Sequence, residues 1–149
     1  MPGFRAQILC GGVVGLVVWW LLTPYTPVSF SVLLACSAAL LGSLLPDCDT
    51  PSKGRQIIDV VTIPLIILFW AQQFYFLAGV LVSFYCIARL SPHRGALHTV
   101  WFPMVYCGAI AWYAYQRGLP FLIIWWSLVF VLLGYLSHLA LDRAVRFIR

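Results

Sequence analysis

Apolar residues fill the chain in long stretches, and short polar segments mark where each stretch stops. Residues 6–22 form the first run, ended by "TPYTP". Residues 28–45 form the second, ended by "PDCDTPSKGRQ". Residues 96–115 form another, ended by "QRGLP", and residues 119–140 the last, followed by a short basic tail. Each is near the ~20 residues that a helix needs to cross a hydrocarbon core of about 30 Å. A transmembrane barrel would show alternating segments of ~10 residues, and none is visible.

Residues 57–90 need a separate decision. A single helix of that length, at ~1.5 Å per residue, would be about 51 Å long. Either one long tilted helix begins near Pro64, or two short helices form a hairpin broken at "AQQF", residues 71–74. Charge decides for the hairpin. It gives six spans, with Arg5, Lys53, Arg55, Arg89, Arg94, Arg143, Arg146 and Arg149 on one side and Arg117 alone on the other. A single span would divide the basic residues four against five, which is no bias. The excess of basic residues on one side then places that side, and both termini, in the cytoplasm. The first half of the hairpin, 57–71, is expected to be short, re-entrant or sharply tilted.

Composition narrows the class further. The 149 residues are 63% hydrophobic and 9% charged, too little polar surface for a soluble domain. The expected fold is therefore all-α: a polytopic transmembrane helical bundle of about six spans in one domain, 1–149. The net charge of +5 does not signal nucleic acid, because the basic residues sit dispersed at the ends of apolar runs. Cys10, Cys36, Cys86 and Cys107 lie inside apolar runs and read as small core residues rather than a disulfide framework. Cys48, between two aspartates, reads as a bystander rather than a soft metal ligand. The N-terminal run resembles a signal peptide but has no clear cleavage site, and reads as the first span.

The remaining polar chemistry falls at one membrane face. The chain has no glutamate; its acids are Asp47, Asp49, Asp59 and Asp142, and its histidines His93, His98 and His138. Six spans bring all seven to the same side. His138 and Asp142, four apart, share a helix face. Asp47 and Asp49 follow Pro46 in a loop, where alternate carboxylates can turn to one centre. A bend at Gly95 would bring His93 and His98 inward together, with His98 in the first turn of the next helix. A lone histidine in a membrane helix is ordinarily a structural hydrogen-bonding group, and a lone aspartate at a helix end a solvated cap. Asp59, four residues after Arg55, reads that way. The other six read jointly as ligands of a divalent metal, since imidazole and carboxylate suit zinc, manganese or iron.

At these positions the chain resembles the YdjM family (DUF457) of inner-membrane proteins. The segments that carry the resemblance are "GSLLPDCD" at 42–49, "HRGALHT" at 93–99 and "GYLSHLALD" at 134–142. The resemblance spans most of the chain. It implies a bacterial or archaeal metal-dependent hydrolase, with Asp47, Asp49, His93, His98, His138 and Asp142 as metal ligands and Arg94 as the matching arginine. Gln7 departs from the pattern, standing where many members carry a histidine four residues before a glycine.

Two functions follow as expectations. The first is a hydrolase using zinc, or else manganese, iron or magnesium, to activate water. Asp47 or Asp49 would double as general base, and Arg94, helped by Lys53 or Arg55, would hold a phosphate. A site at the membrane–water boundary suits a phospholipid or lipid-linked phosphate. The second is a non-catalytic membrane protein with a structural metal site or an assembly or transport role, which the absence of glutamate and of the first histidine favours. No HExxH motif of intramembrane metalloproteases is present.

Overall fold

A computed structural model describes residues 4–26, 31–49, 51–92 and 95–147, except the side chains of Asp49 and of 145–147. Within these residues the chain is all helical. Six α-helices follow one another: α1 Phe4–Leu22, α2 Val32–Leu44, α3 Lys53–Ala71, α4 Tyr75–Leu90, α5 Trp101–Gln116 and α6 Phe121–Phe147. Short 3₁₀ turns lie at Thr23–Tyr25, Leu45–Asp49 and Ala96–His98.

The break expected within 57–90 is present. α3 stops at Ala71, Gln73 takes a left-handed φ of 61°, and the Phe74 N–H reaches the Phe69 carbonyl at 2.8 Å before α4 begins. The expectation of a short first half is corrected. The Ser52 hydroxyl accepts the Arg55 N–H at 3.1 Å, and this cap starts α3 at Lys53. Its 19 residues span about 28 Å, with Pro64 inside the helix rather than at its start. Among the described residues, three helical segments are long and apolar enough to cross a membrane: Phe4–Tyr25, Lys53–Ala71 and Phe121–Ala144. Val32–Cys48 and Tyr75–Leu90 are shorter apolar segments. Large apolar side chains such as Leu33, Val60, Leu90 and Trp101 point outward, an arrangement suited to lipid.

Two other boundaries differ from the hydropathy reading. α5 begins at Trp101 instead of 96, because 96–98 wind into a separate 3₁₀ turn and Thr99 is extended. α6 continues past 140 to Phe147, since neither glycine nor proline interrupts "LDRAVRF" and basic residues suit a helix C-terminus.

α2, α6 and α1 pack closely because α2 offers small residues to its neighbours. Ala35, Ala38, Ala39, Gly42 and Ser43 are its buried positions, along with Leu44. At the α2–α6 crossing the backbones touch. A Cβ on Gly42 would collide with the Val131 carbonyl oxygen, and a Cβ on Gly134 with that of Ala39. α3 and α4 are joined differently. Arg89 Nη2 donates to both oxygens of Asp59 at 2.7 and 2.6 Å and to the Tyr85 hydroxyl at 2.7 Å. Asp59 thus has a structural partner, as expected, but its close cation is Arg89; Arg55 is at 4.0 Å. Phe84 of α4 packs against Phe102 and Tyr106 of α5.

Candidate metal centre

Three of the expected ligands meet. One donor atom from each of Asp47, His98 and His138 can be chosen so that all lie within 4.8 Å of one another. They come from three elements that end or begin near the same end of the bundle. Asp47 lies in the 3₁₀ turn that finishes α2, and His98 in the turn that precedes α5. His138 lies on α6, and its ring sits edge-on to that of His98 with centroids 6.0 Å apart. Asp47 and His138 are buried, at 6% and 2% exposure, while His98 is only partly covered.

The close α2–α6 contact fixes the His138 ring. Its Nδ1 is 2.9 Å from the carbonyl oxygen of Ser43. A carbonyl can only accept, so Nδ1 carries the proton and donates it. In the neutral ring Nε2 is then the nitrogen with a lone pair, and it faces Asp47 Oδ1 at 3.5 Å. Metal-binding histidines are commonly held this way, with the second ring nitrogen donating to a carbonyl. Two ligand atoms of a tetrahedral zinc at ordinary bond lengths would lie about 3.4 Å apart, close to this separation. The whole group of three needs to draw in by roughly an ångström to share one ion. The donor set therefore fits a divalent metal ion.

His98 is positioned from α6 as well. The hydroxyl of Tyr135, a residue with no exposed surface, donates to the Leu97 carbonyl, next to His98 in the chain. Tyr135 and His138 are one helical turn apart. "GYLSHLALD" thus contains the close-contact glycine, the tyrosine that ties down the 96–98 turn, and the histidine itself.

Asp142 is buried, at 4% exposure, one turn beyond His138, but lies outside the group of three. His98 is in the 3₁₀ turn and not in the first turn of α5. His93 and Arg94 lie outside the described residues, and of Asp49 the backbone alone is described, as the last residue of its 3₁₀ turn. Cys48 packs among Leu44, Ile58, Phe84, Ala88 and Leu97. Neither Tyr135 nor Gln7 was read as a site residue. Gln7 is 3% exposed, and its Nε2 donates to Asp47 Oδ2 at 2.5 Å. The signal for Gln7 was its place in the family pattern, where many members carry a histidine.

A family model described as "YdjM inner membrane protein" matches residues 1–146. The chain belongs to this family. The segments 42–49, 93–99 and 134–142 of the chain each contain one of the three grouped residues, and the family description agrees with the apolar helices in placing the chain in a membrane. No curated protein and no solved structure matches the chain.

Proposed function

We propose that this YdjM-family protein is a metal-dependent hydrolase acting at the cytoplasmic membrane face on a phosphoester of a lipid or lipid-linked substrate. The observation that carries the reading is the grouping of Asp47, His98 and His138 with the His138 Nδ1–H committed to the Ser43 carbonyl. Asp47, His98 and His138 would hold the ion, zinc first and manganese, iron or magnesium after it. Three protein ligands are the number found in catalytic sites, which keep one position open. A bound divalent ion supplies Lewis acidity towards a phosphoryl oxygen and makes a nearby water more acidic.

The chain's own residues do the rest. The Ser43 carbonyl keeps the His138 ring in one tautomer and orientation. Arg94, four residues before His98, supplies the guanidinium fork for a phosphate, with Lys53 and Arg55 on the same membrane side by the charge distribution. Asp49 is the candidate general base. Asp47 and His98 stand in turns at helix ends, with His138 beside them on α6, so the head group of an amphiphile reaches the site while its chains stay in lipid.

Burial favours a second reading. Asp47 and His138 are covered as deeply as the ligands of a closed structural site, and such a site would hold the helices together without catalysis. One experiment separates the two. The full-length protein, purified in detergent, is analysed for metal and then incubated with phospholipids and lipid-linked phosphates, with Zn²⁺ or Mn²⁺ and with chelator. Hydrolysis that needs metal, with Arg94→Lys retaining metal but binding substrate more weakly, supports the enzyme. Bound metal with no product, and unfolding on chelation, supports the structural site.

A further inference from the structure

The buried face of α1 is Gln7, Gly11 and Gly15, spaced four residues apart. Two glycines let α1 lie close to α2. A third small residue would continue the stripe, yet the position holds an amide at 3% exposure. An amide taken out of water costs free energy unless its hydrogen bonds are replaced. Gln7 replaces one of them with Asp47, 40 residues away, from Nε2 to Oδ2 at 2.5 Å. The amide orientation follows from chemistry: the oxygen of Gln7 turned towards an ionised carboxylate would set acceptor against acceptor.

The two oxygens of Asp47 then have different duties. Oδ2 takes the amide proton, and Oδ1 faces His138 Nε2 at 3.5 Å. A carboxylate free to turn can bind an ion through both oxygens, as large cations with six to eight ligands prefer. A carboxylate with one oxygen occupied offers the other alone, as four-coordinate zinc sites require. Resting on the metal reading above, we propose that Gln7 is a positioning residue that makes Asp47 a one-oxygen ligand and so selects small, four-coordinate ions. α1 thereby belongs to the metal centre without supplying a ligand.

The test uses full-length protein in detergent, with Zn²⁺ affinity and the visible absorption of bound Co²⁺ as readouts. Four-coordinate Co²⁺ absorbs much more strongly than six-coordinate Co²⁺, so the spectrum reports ligation directly. Gln7→Met keeps length and helix preference but loses the donor. It is expected to weaken Zn²⁺ binding by about 10–100-fold, and to lower the Co²⁺ absorption. Gln7→Glu, which keeps length and polarity and loses the donor when ionised, serves if the methionine variant does not fold, and is expected to alter the spectrum likewise. A folded variant of either kind with wild-type Zn²⁺ affinity and Co²⁺ spectrum overturns the proposal while leaving the metal site standing. Wild-type protein that takes up neither ion overturns the metal reading itself, and the role of Gln7 with it.

Discussion

Asp47 and Asp59 are the same side chain in two parts of one bundle, and they are handled in opposite ways. Asp59 joins α3 to α4 through a guanidinium that grips both its oxygens, a self-balanced pair about a quarter exposed on each side. Asp47 is buried where α1, α2 and α6 meet, with an amide on one oxygen and an imidazole facing the other. The first arrangement neutralises a charge and leaves nothing to bind. The second divides the carboxylate, keeping one oxygen among histidine nitrogens. Position near a helix end does not separate a structural aspartate from a functional one; the chemistry of its partners does.

The strongest test of this contrast makes one change at both positions. On the proposed metal reading Asp47→Asn removes a ligand, so bound metal should be lost, and any hydrolysis should fall by about 10²-fold or more. Asp59→Asn should leave metal content at the wild-type level. It takes the counter-charge from Arg89 instead, and should lower stability by about 1–3 kcal/mol, less than for a fully buried pair because water screens this one. Metal analysis and unfolding in detergent measure both. Loss of metal from the Asp59 variant, or retention in the Asp47 variant, would reverse the assignment.

The same contrast shows what the sequence made legible. Apolar runs reveal helices well, and the charge split correctly divided 57–90 into two. Helix ends were less visible, because Ser52 caps α3 ahead of its apolar run and α6 carries on into charged residues that hydropathy counts as tail. At the site, Asp47, His98 and His138 were readable from residue type and topology. Gln7 and Tyr135 were not read as contributors, since their partners, Asp47 and Leu97, are 40 and 38 residues away. A contact of that kind depends on how closely helices approach, which hydropathy does not encode.

Tyr135 gives a prediction of intermediate size. Tyr135→Phe keeps the ring that fills the core and removes only the hydroxyl that holds the Leu97 carbonyl. His98 should then be less well fixed against His138, and Zn²⁺ affinity should fall by about tenfold, as for the loss of a supporting hydrogen bond. The unpaired buried carbonyl should cost about 1–2 kcal/mol of stability. Isothermal titration and unfolding of the same sample give both numbers. Lost stability with unchanged affinity would make Tyr135 a packing residue like those around Asp59 and Arg89, and would detach the 96–98 turn from the metal centre.

The smallest expected effect bears on the hydrogen bond that orients His138. Ser43 is 1% exposed and belongs to the "GSLLPDCD" segment, which invites reading its hydroxyl as functional. The geometry gives that hydroxyl a local duty: it donates to the Leu40 carbonyl one turn back, at 2.8 Å. His138 Nδ1 instead meets the peptide oxygen of Ser43, which every amino acid possesses. Ser43→Ala should therefore keep Zn²⁺ affinity within about twofold and lower stability by no more than about 1 kcal/mol, the ordinary worth of one hydrogen bond. Titration with Zn²⁺ decides it. A tenfold loss of affinity would mean that the hydroxyl holds the ring. A hydroxyl can accept or donate, so the His138 tautomer would no longer be fixed by its partner, and Nε2 would no longer be the nitrogen bound to face Asp47 with a lone pair.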